Sequence, residues 1–198
     1  RGEYVPMVAN TPLPAAAVPG DLAFDIGTGT GVLAAVLAQR GLQVLATDMD
    51  PRALACATEN IARLGLQAQV QVLQADLFPP GRAALVVCNP PWLPARPGSA
   101  LERAVYDEDS RMLLGFVQGL AAHLAPGGEG WLVLSDLAER LGLRSREGLL
   151  QAIQAAGLQV LGRIDTWPQH RKSQDSSDPL HAARAAEVTS LWRLAATS

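Results

Sequence analysis

Seven residues, Asp25-Ile26-Gly27-Thr28-Gly29-Thr30-Gly31, constrain this chain more than any others. They follow a short apolar run, Leu22-Ala23-Phe24, and precede Val32-Leu33-Ala34-Ala35-Val36-Leu37-Ala38. That succession reads as a strand, a tight glycine turn and a helix. Glycine accepts positive φ and lets a ligand approach the backbone with no Cβ in the way. A turn of this kind, closing a first parallel strand, is where doubly wound sheets hold a nucleotide-like ligand.

Two departures from the dinucleotide pattern narrow the choice of ligand. The third glycine of that pattern would fall at position 32, which is Val32. Asp25, two residues before the first glycine, would repel a diphosphate but attract an ammonium or a sulfonium. Asp48 ends the next apolar run, Val44-Leu45-Ala46-Thr47, where a carboxylate accepts hydrogen bonds from ribose hydroxyls. An acidic site for a ligand with both ribose and positive charge points to S-adenosylmethionine. The pattern resembles the first two motifs of the class I methyltransferases. A nicotinamide dinucleotide is the rival ligand, and a glycine turn with no ligand is the plainer one.

From residue 22 the chain alternates strand and helix, the signature of an α/β fold with a parallel sheet. Strands are expected at about 22–26, 42–47, 69–74, 83–88, 130–135, 158–165 and 187–194. The fourth, Ala83-Ala84-Leu85-Val86-Val87-Cys88, is a continuous apolar run, as a strand covered on both faces requires. Helices are expected at about 30–40, 51–64, 109–124 and 145–156; Asp50 caps the second, with Pro51 at its first position. Ala125-Pro126-Gly127-Gly128 reads as a break before the fifth strand. No helix separates the last two strands, so they must pair antiparallel. The expected architecture is a Rossmann-like, doubly wound, seven-stranded sheet, mainly parallel with the last strand antiparallel.

Asn89-Pro90-Pro91-Trp92 follows the fourth strand, at the same sheet edge as the glycine turn. Two prolines fix φ and remove two backbone donors, leaving carbonyl acceptors. The Asn89 side chain adds another acceptor, and Trp92 offers a flat stacking face. Two acceptors at one corner suit a planar NH2 group. Nitrogen in an amide or base amine is a poor nucleophile because its lone pair is delocalised. Gripping both hydrogens out of plane turns that lone pair towards a methyl donor, so positioning supplies most of the acceleration.

This tetrapeptide resembles the amino-methylating branch of the class I methyltransferases, in the small-domain family. That branch includes enzymes acting on adenine or guanine amines and on glutamine in release factors or ribosomal proteins. The resemblance covers residues 22–135, and 136–198 only in order of elements. It implies that Asp25, Gly27, Thr28, Gly29 and Gly31 hold the methionine part of the cofactor and Asp48 the ribose. Asp76 would accept from the adenine amine, with Leu77 against the ring. Asn89, Pro90 and Trp92 would bind the target nitrogen. Tyrosine or phenylalanine is commoner at the last position, so Trp92 leaves the size of the target open.

The expected activity is S-adenosylmethionine-dependent N-methylation of an exocyclic amine of guanine or adenine in RNA. The alternatives are a protein glutamine and a non-catalytic adenosylmethionine-binding protein. A net charge of −3, with no run of five or six like charges, gives little general affinity for nucleic acid and leans towards a protein. Partners are therefore an RNA or a protein carrying an NH2 group. Cys56 and Cys88 read as buried free thiols, with no metal-ligand spacing. No apolar run reaches membrane-spanning length and no signal peptide is present, so the cytoplasm is the expected compartment.

Residues 1–20, with four prolines and two glycines, read as an irregular lead-in, compatible with a linker from a preceding region. Residues 21–198 are the expected methyltransferase domain. His123 suits a helix end. Arg96, Arg103, Tyr106-Asp107 and Ser135-Asp136 are secondary candidates for the substrate pocket. His170, Arg171, Lys172, His181 and Arg184 read as parts of a solvated loop offset by Asp175, Asp178 and Glu187.

Overall fold

A computed structural model describes residues 4–92, 110–167 and 186–197. Arg96, Arg103, Tyr106, Asp107 and the cationic residues of the 168–185 stretch lie outside the described residues. Among the described residues seven strands form one sheet in the order β3-β2-β1-β4-β5-β7-β6. They are β1 (Leu22–Ile26), β2 (Gln43–Asp48), β3 (Val70–Gln74), β4 (Ala83–Cys88), β5 (Leu124–Ser135), β6 (Leu158–Thr166) and β7 (Thr189–Ala196). The pairs β1–β2, β1–β4, β2–β3 and β4–β5 are parallel, whereas β7 runs antiparallel to both β5 and β6. The single reversed strand is thus the last, as expected from the sequence.

Strand alternation divides the core into two layers. Ala23, Val44, Ala46, Leu85, Val87, Trp131 and Val133 face α1 (Tyr4–Asn10), α2 (Val32–Gln39) and Ile61 of α3 (Pro51–Arg63). Phe24, Ile26, Val86, Cys88, Leu132 and Leu134 face α4 (Arg111–His123) and α6 (Arg146–Ala155). A one-turn α5 (Leu137–Arg140) follows β5. Every residue of β4 is buried, which accounts for its unbroken apolar sequence.

Local chemistry sets the helix ends. Asp50 accepts from the Arg52 backbone N–H with Pro51 at the first helical position, and Ser145 caps α6 by accepting from Gly148. Gly115, Gly119 and Gly130 are slots: a Cβ at each would stand 2.5, 2.6 and 2.2 Å from Leu77, Phe78 and Leu120 respectively. These slots bring α4 down onto the sheet, directly above the ends of β1 and β3.

Three sequence expectations need correcting. Tyr4–Asn10 is helical although the lead-in is rich in proline; Pro6 lies in the first turn, where no backbone N–H is needed. Met7 and Val8 are buried, and the Arg40 guanidinium donates to Val8 O at 2.6 Å and Thr11 O at 2.7 Å. The Ala125-Pro126-Gly127-Gly128 stretch lies within β5 as an irregularity in the ladder rather than before it; the register passes from Ala83↔Leu124 to Leu85↔Glu129. Cys56 is exposed and only Cys88 is buried. The buried stripe of α3 is Ala57 and Ile61, which turns Cys56 outward.

Candidate cofactor and amine site

The carboxyl ends of four strands line up along one edge. Ile26 pairs with Thr47 and with Cys88, and Asp48 pairs with Gln74. The residues that follow are therefore Asp76 beyond β3, Asp48 at the end of β2, Gly27 beyond β1 and Asn89 beyond β4. Adjacent strands are about 4.8 Å apart, so Asp76, Asp48 and Gly27 form a row spanning roughly 10 Å, and Asn89 stands one strand further on. The glycine turn and the proline-stiffened corner share one edge.

Gly27, Gly29 and Gly31 have φ of 68°, 56° and 80°, the left-handed region that favours glycine. The turn is braced from beneath. Asp25 is 1% exposed, and its Oδ2 accepts the Thr28 hydroxyl at 2.6 Å and the Ala34 N–H at 3.0 Å. Burial pushes the Asp25 carboxyl up from 3.8 to about 6; the two hydrogen bonds oppose that shift and the Asp48 charge adds to it. Asp25 therefore organises the turn from inside, a more structural position than a direct ligand contact. The Thr28 N–H donates to Thr47 O at 2.8 Å, which holds the turn against β2.

Asp48 accepts the Gly29 N–H at 3.0 Å through Oδ2 and the Asp50 N–H at 2.9 Å through Oδ1. Each carboxylate oxygen has a second lone pair, so these bonds fix its orientation while leaving acceptor capacity for hydroxyls. Leu77 has φ 71°, uncommon for a residue with a side chain, and its carbonyl accepts the Thr47 hydroxyl at 2.6 Å. The Leu77 side chain points at Gly115 of α4. Asp76 is met by Arg111, the first residue of α4, with Nη2 2.6 Å from Oδ2.

At the other motif, Pro90 is buried, whereas Asn89, Pro91 and Trp92 are half-buried. The Trp92 indole N–H donates to Asn89 Oδ1 at 3.0 Å. The Asn89 acceptor is thus shared within the motif, and the indole plane is fixed relative to it. Ser135 and Asp136, weighed as pocket residues, act as ties. Ser135 donates to Glu187 at 2.5 Å and accepts from Leu137 N–H; Asp136 accepts from Val188 N–H and Arg140. His123 contacts Gly119 O through Nδ1 at 2.8 Å and stacks on Phe78.

Sequence reasoning missed the contacts of Arg111 with Asp76 and of Met112 with Gly27. One signal was available: a cation opening a helix opposes the positive end of the helix dipole, so Arg111 needs a reason other than helix stability. Among the described residues no group of three or more His, Cys, Asp or Glu side chains could hold a metal ion. No helix among them is long and apolar enough to cross a membrane.

Known proteins resemble this chain in sequence and in fold. A release factor glutamine methyltransferase of Cereibacter sphaeroides is 34% identical over 166 residues, covering 76% of this chain and 58% of that protein. A ribosomal RNA small subunit methyltransferase C of Alcanivorax borkumensis is 36% identical over 111 residues, covering 55% and 30%. The chain spans about half the length, or less, of the curated relatives it matches. A geranyl diphosphate methyltransferase structure superposes with a TM-score of 0.71 at 14% identity, covering 98% of this chain and 84% of that one; this likeness concerns the fold alone. The family model for the methyltransferase small domain matches residues 11–145, from before the glycine turn to the start of α6, and includes both motifs. The chain belongs to the methyltransferase small domain family.

Proposed function

We propose that the chain transfers a methyl group from S-adenosylmethionine to an exocyclic amine of a guanine or adenine base in RNA. The observation that carries this reading is the register Ile26↔Cys88, which sets Gly27 and Asn89 side by side at one sheet edge. The donor set along the row fits the donor molecule: a carboxylate at Asp76 for an amine, one at Asp48 for hydroxyls, and half-buried backbone at Gly27 with no side chain of its own. Bound there, the donor supplies a methyl group made electrophilic by its sulfonium.

The chain's own residues do the rest. Asn89 Oδ1 and the Pro90 carbonyl accept the two N–H bonds of the target and turn its lone pair towards the methyl carbon. The nitrogen–carbon bond forms as the carbon–sulfur bond breaks, and its electron pair stays on sulfur. The nitrogen then carries a positive charge and releases one proton to water through the same acceptors. Trp92, locked to Asn89, keeps the target plane parallel to the indole. A double-ring face covers a base more fully than it covers a primary amide, which favours a nucleobase.

A second reading, methylation of a protein glutamine, is favoured by the 34% identity to a release factor glutamine methyltransferase and by the net charge of −3. Incubation with methyl-labelled donor, stripped ribosomal RNA and a release factor separates them. Label in RNA, lost in Asn89→Ala, supports the base amine. Label confined to protein supports glutamine. Label in neither with the wild-type chain contradicts both.

A further inference from the structure

Consecutive residues at the start of α4 reach both ends of the cofactor row. Arg111 Nη2 lies 2.6 Å from Asp76 Oδ2, and its Nη1 lies 3.8 Å from Met49 Sδ. The Met112 methyl rests over Gly27, so closely that a Cβ there would stand 2.0 Å from Cε. One helix end thus touches the row at β1 and at β3, and passes beside the residue that follows Asp48. The Arg111 contact does not serve the core: its side chain is 62% exposed and that of Asp76 is 51% exposed.

We propose that Arg111 is a positioning residue for the purine end of the methyl donor, closing over it from α4 with Asp76 as its anchor. This inference rests on the reading that the donor lies along the row from Asp76 to Gly27. A guanidinium is planar, weakly hydrated and stacks on aromatic faces. A carboxylate has lone pairs enough for both this guanidinium and a purine amine, so the ion pair and the ligand use Asp76 together. The exposed Met49 thioether beside the guanidinium adds apolar area that a purine would cover. An ion pair this exposed adds little to the fold. Its effect falls on how long the ligand stays.

Release of S-adenosylhomocysteine, followed by stopped-flow displacement, tests the clasp in wild type, Arg111→Ala and Arg111→Lys. The alanine variant should release the ligand roughly five to ten times faster, in line with the loss of an exposed ion pair and a stacked guanidinium. The loss should fall on KM for the donor rather than on kcat, with the melting temperature held. The lysine variant keeps the charge without the plane and should release at an intermediate rate. Adenosine alone should show the same ratio, because the contact lies at the purine end. Equal release rates, or slower release from the alanine variant, would overturn the clasp while leaving the donor reading intact. A wild-type chain that binds neither ligand would overturn both.

Discussion

The indole N–H of Trp92 donates to Asn89 Oδ1 at 3.0 Å, so the indole ring and the asparagine carboxamide of the second motif are tied into one unit. The bond uses one of the two lone pairs on that oxygen and leaves the other able to accept from a second donor. The indole is held edge-on to Asn89, and the half-buried ring packs against both core layers.

Trp92→Phe keeps a flat face but removes the donor, whereas Trp92→Ala removes both. Stacking on an aromatic face is worth about 1–3 kcal/mol per base. Turnover should therefore fall modestly, within about ten-fold, in the phenylalanine variant, and by roughly 10- to 100-fold in the alanine variant. Donor affinity, read by calorimetry, should be unchanged in both.

Asn89→Ala removes the side-chain acceptor and leaves the cofactor row untouched. Misplacement of a reacting group by about 1 Å costs on the order of 100-fold in rate, and a loss of kcat of that size is expected with donor affinity retained. Equal losses of kcat and donor binding would place Asn89 in the cofactor row instead.

The glycines of the turn differ in what surrounds them. A Cβ at Gly29 meets nothing within 4 Å, so Gly29→Ala suffers only the left-handed backbone, about 1 kcal/mol. A Cβ at Gly31 would lie 3.3 Å from the Ala57 backbone, a contact that α3 cannot readily yield. Gly31→Ala should therefore cost more than Gly29→Ala in chemical denaturation, by about another 1 kcal/mol.

Burial holds the Asp25 carboxyl near 6 instead of 3.8. A carboxyl raised in the folded state contributes its full stability below its unfolded value, and loses it as pH climbs through the folded value. Between pH 4 and pH 7 the wild type should lose up to about 3 kcal/mol relative to Asp25→Asn. Melting curves of the two proteins across that range measure the difference. A cationic donor favours the ionised form, so its affinity should rise with pH through about 6 and flatten in the asparagine variant.

Much of this architecture was legible from the residues. Apolar runs located all seven strands, and the unbroken run Ala83–Cys88 has the bounds of β4. Asp50 and Pro51 marked the start of α3, because capping is a local matter of side-chain chemistry. Misreadings arose where tertiary context outweighs composition. Pro6 is harmless in the first turn of α1, a fact that depends on where the helix begins. Gly128 permits the irregular stretch of β5, since a Cβ there would lie 2.9 Å from the Ala84 carbonyl, and no sequence pattern shows that neighbour.

The site was half legible. The order of Asp76, Asp48, Gly27 and Asn89 along the edge follows from the strand order β3-β2-β1-β4, which no local pattern in the sequence states. The inward orientation of Asp25 and the reach of Arg111 from α4 depend on long-range packing. Arg111 and Asp76 are 35 residues apart, and nothing local couples them.

The central claim is spatial: a sulfonium donor lies along the row, with its methyl facing the Asn89 corner. A crystal structure with S-adenosylhomocysteine bound measures this directly. The account expects adenine at Asp76, ribose on Asp48 and sulfur beside the Gly27 backbone, close enough to Asn89 for an amine held there to lie about 3–3.5 Å from a methyl carbon on that sulfur. Sulfur on the side of Gly27 away from Asn89, or ligand bound off this edge, would contradict it.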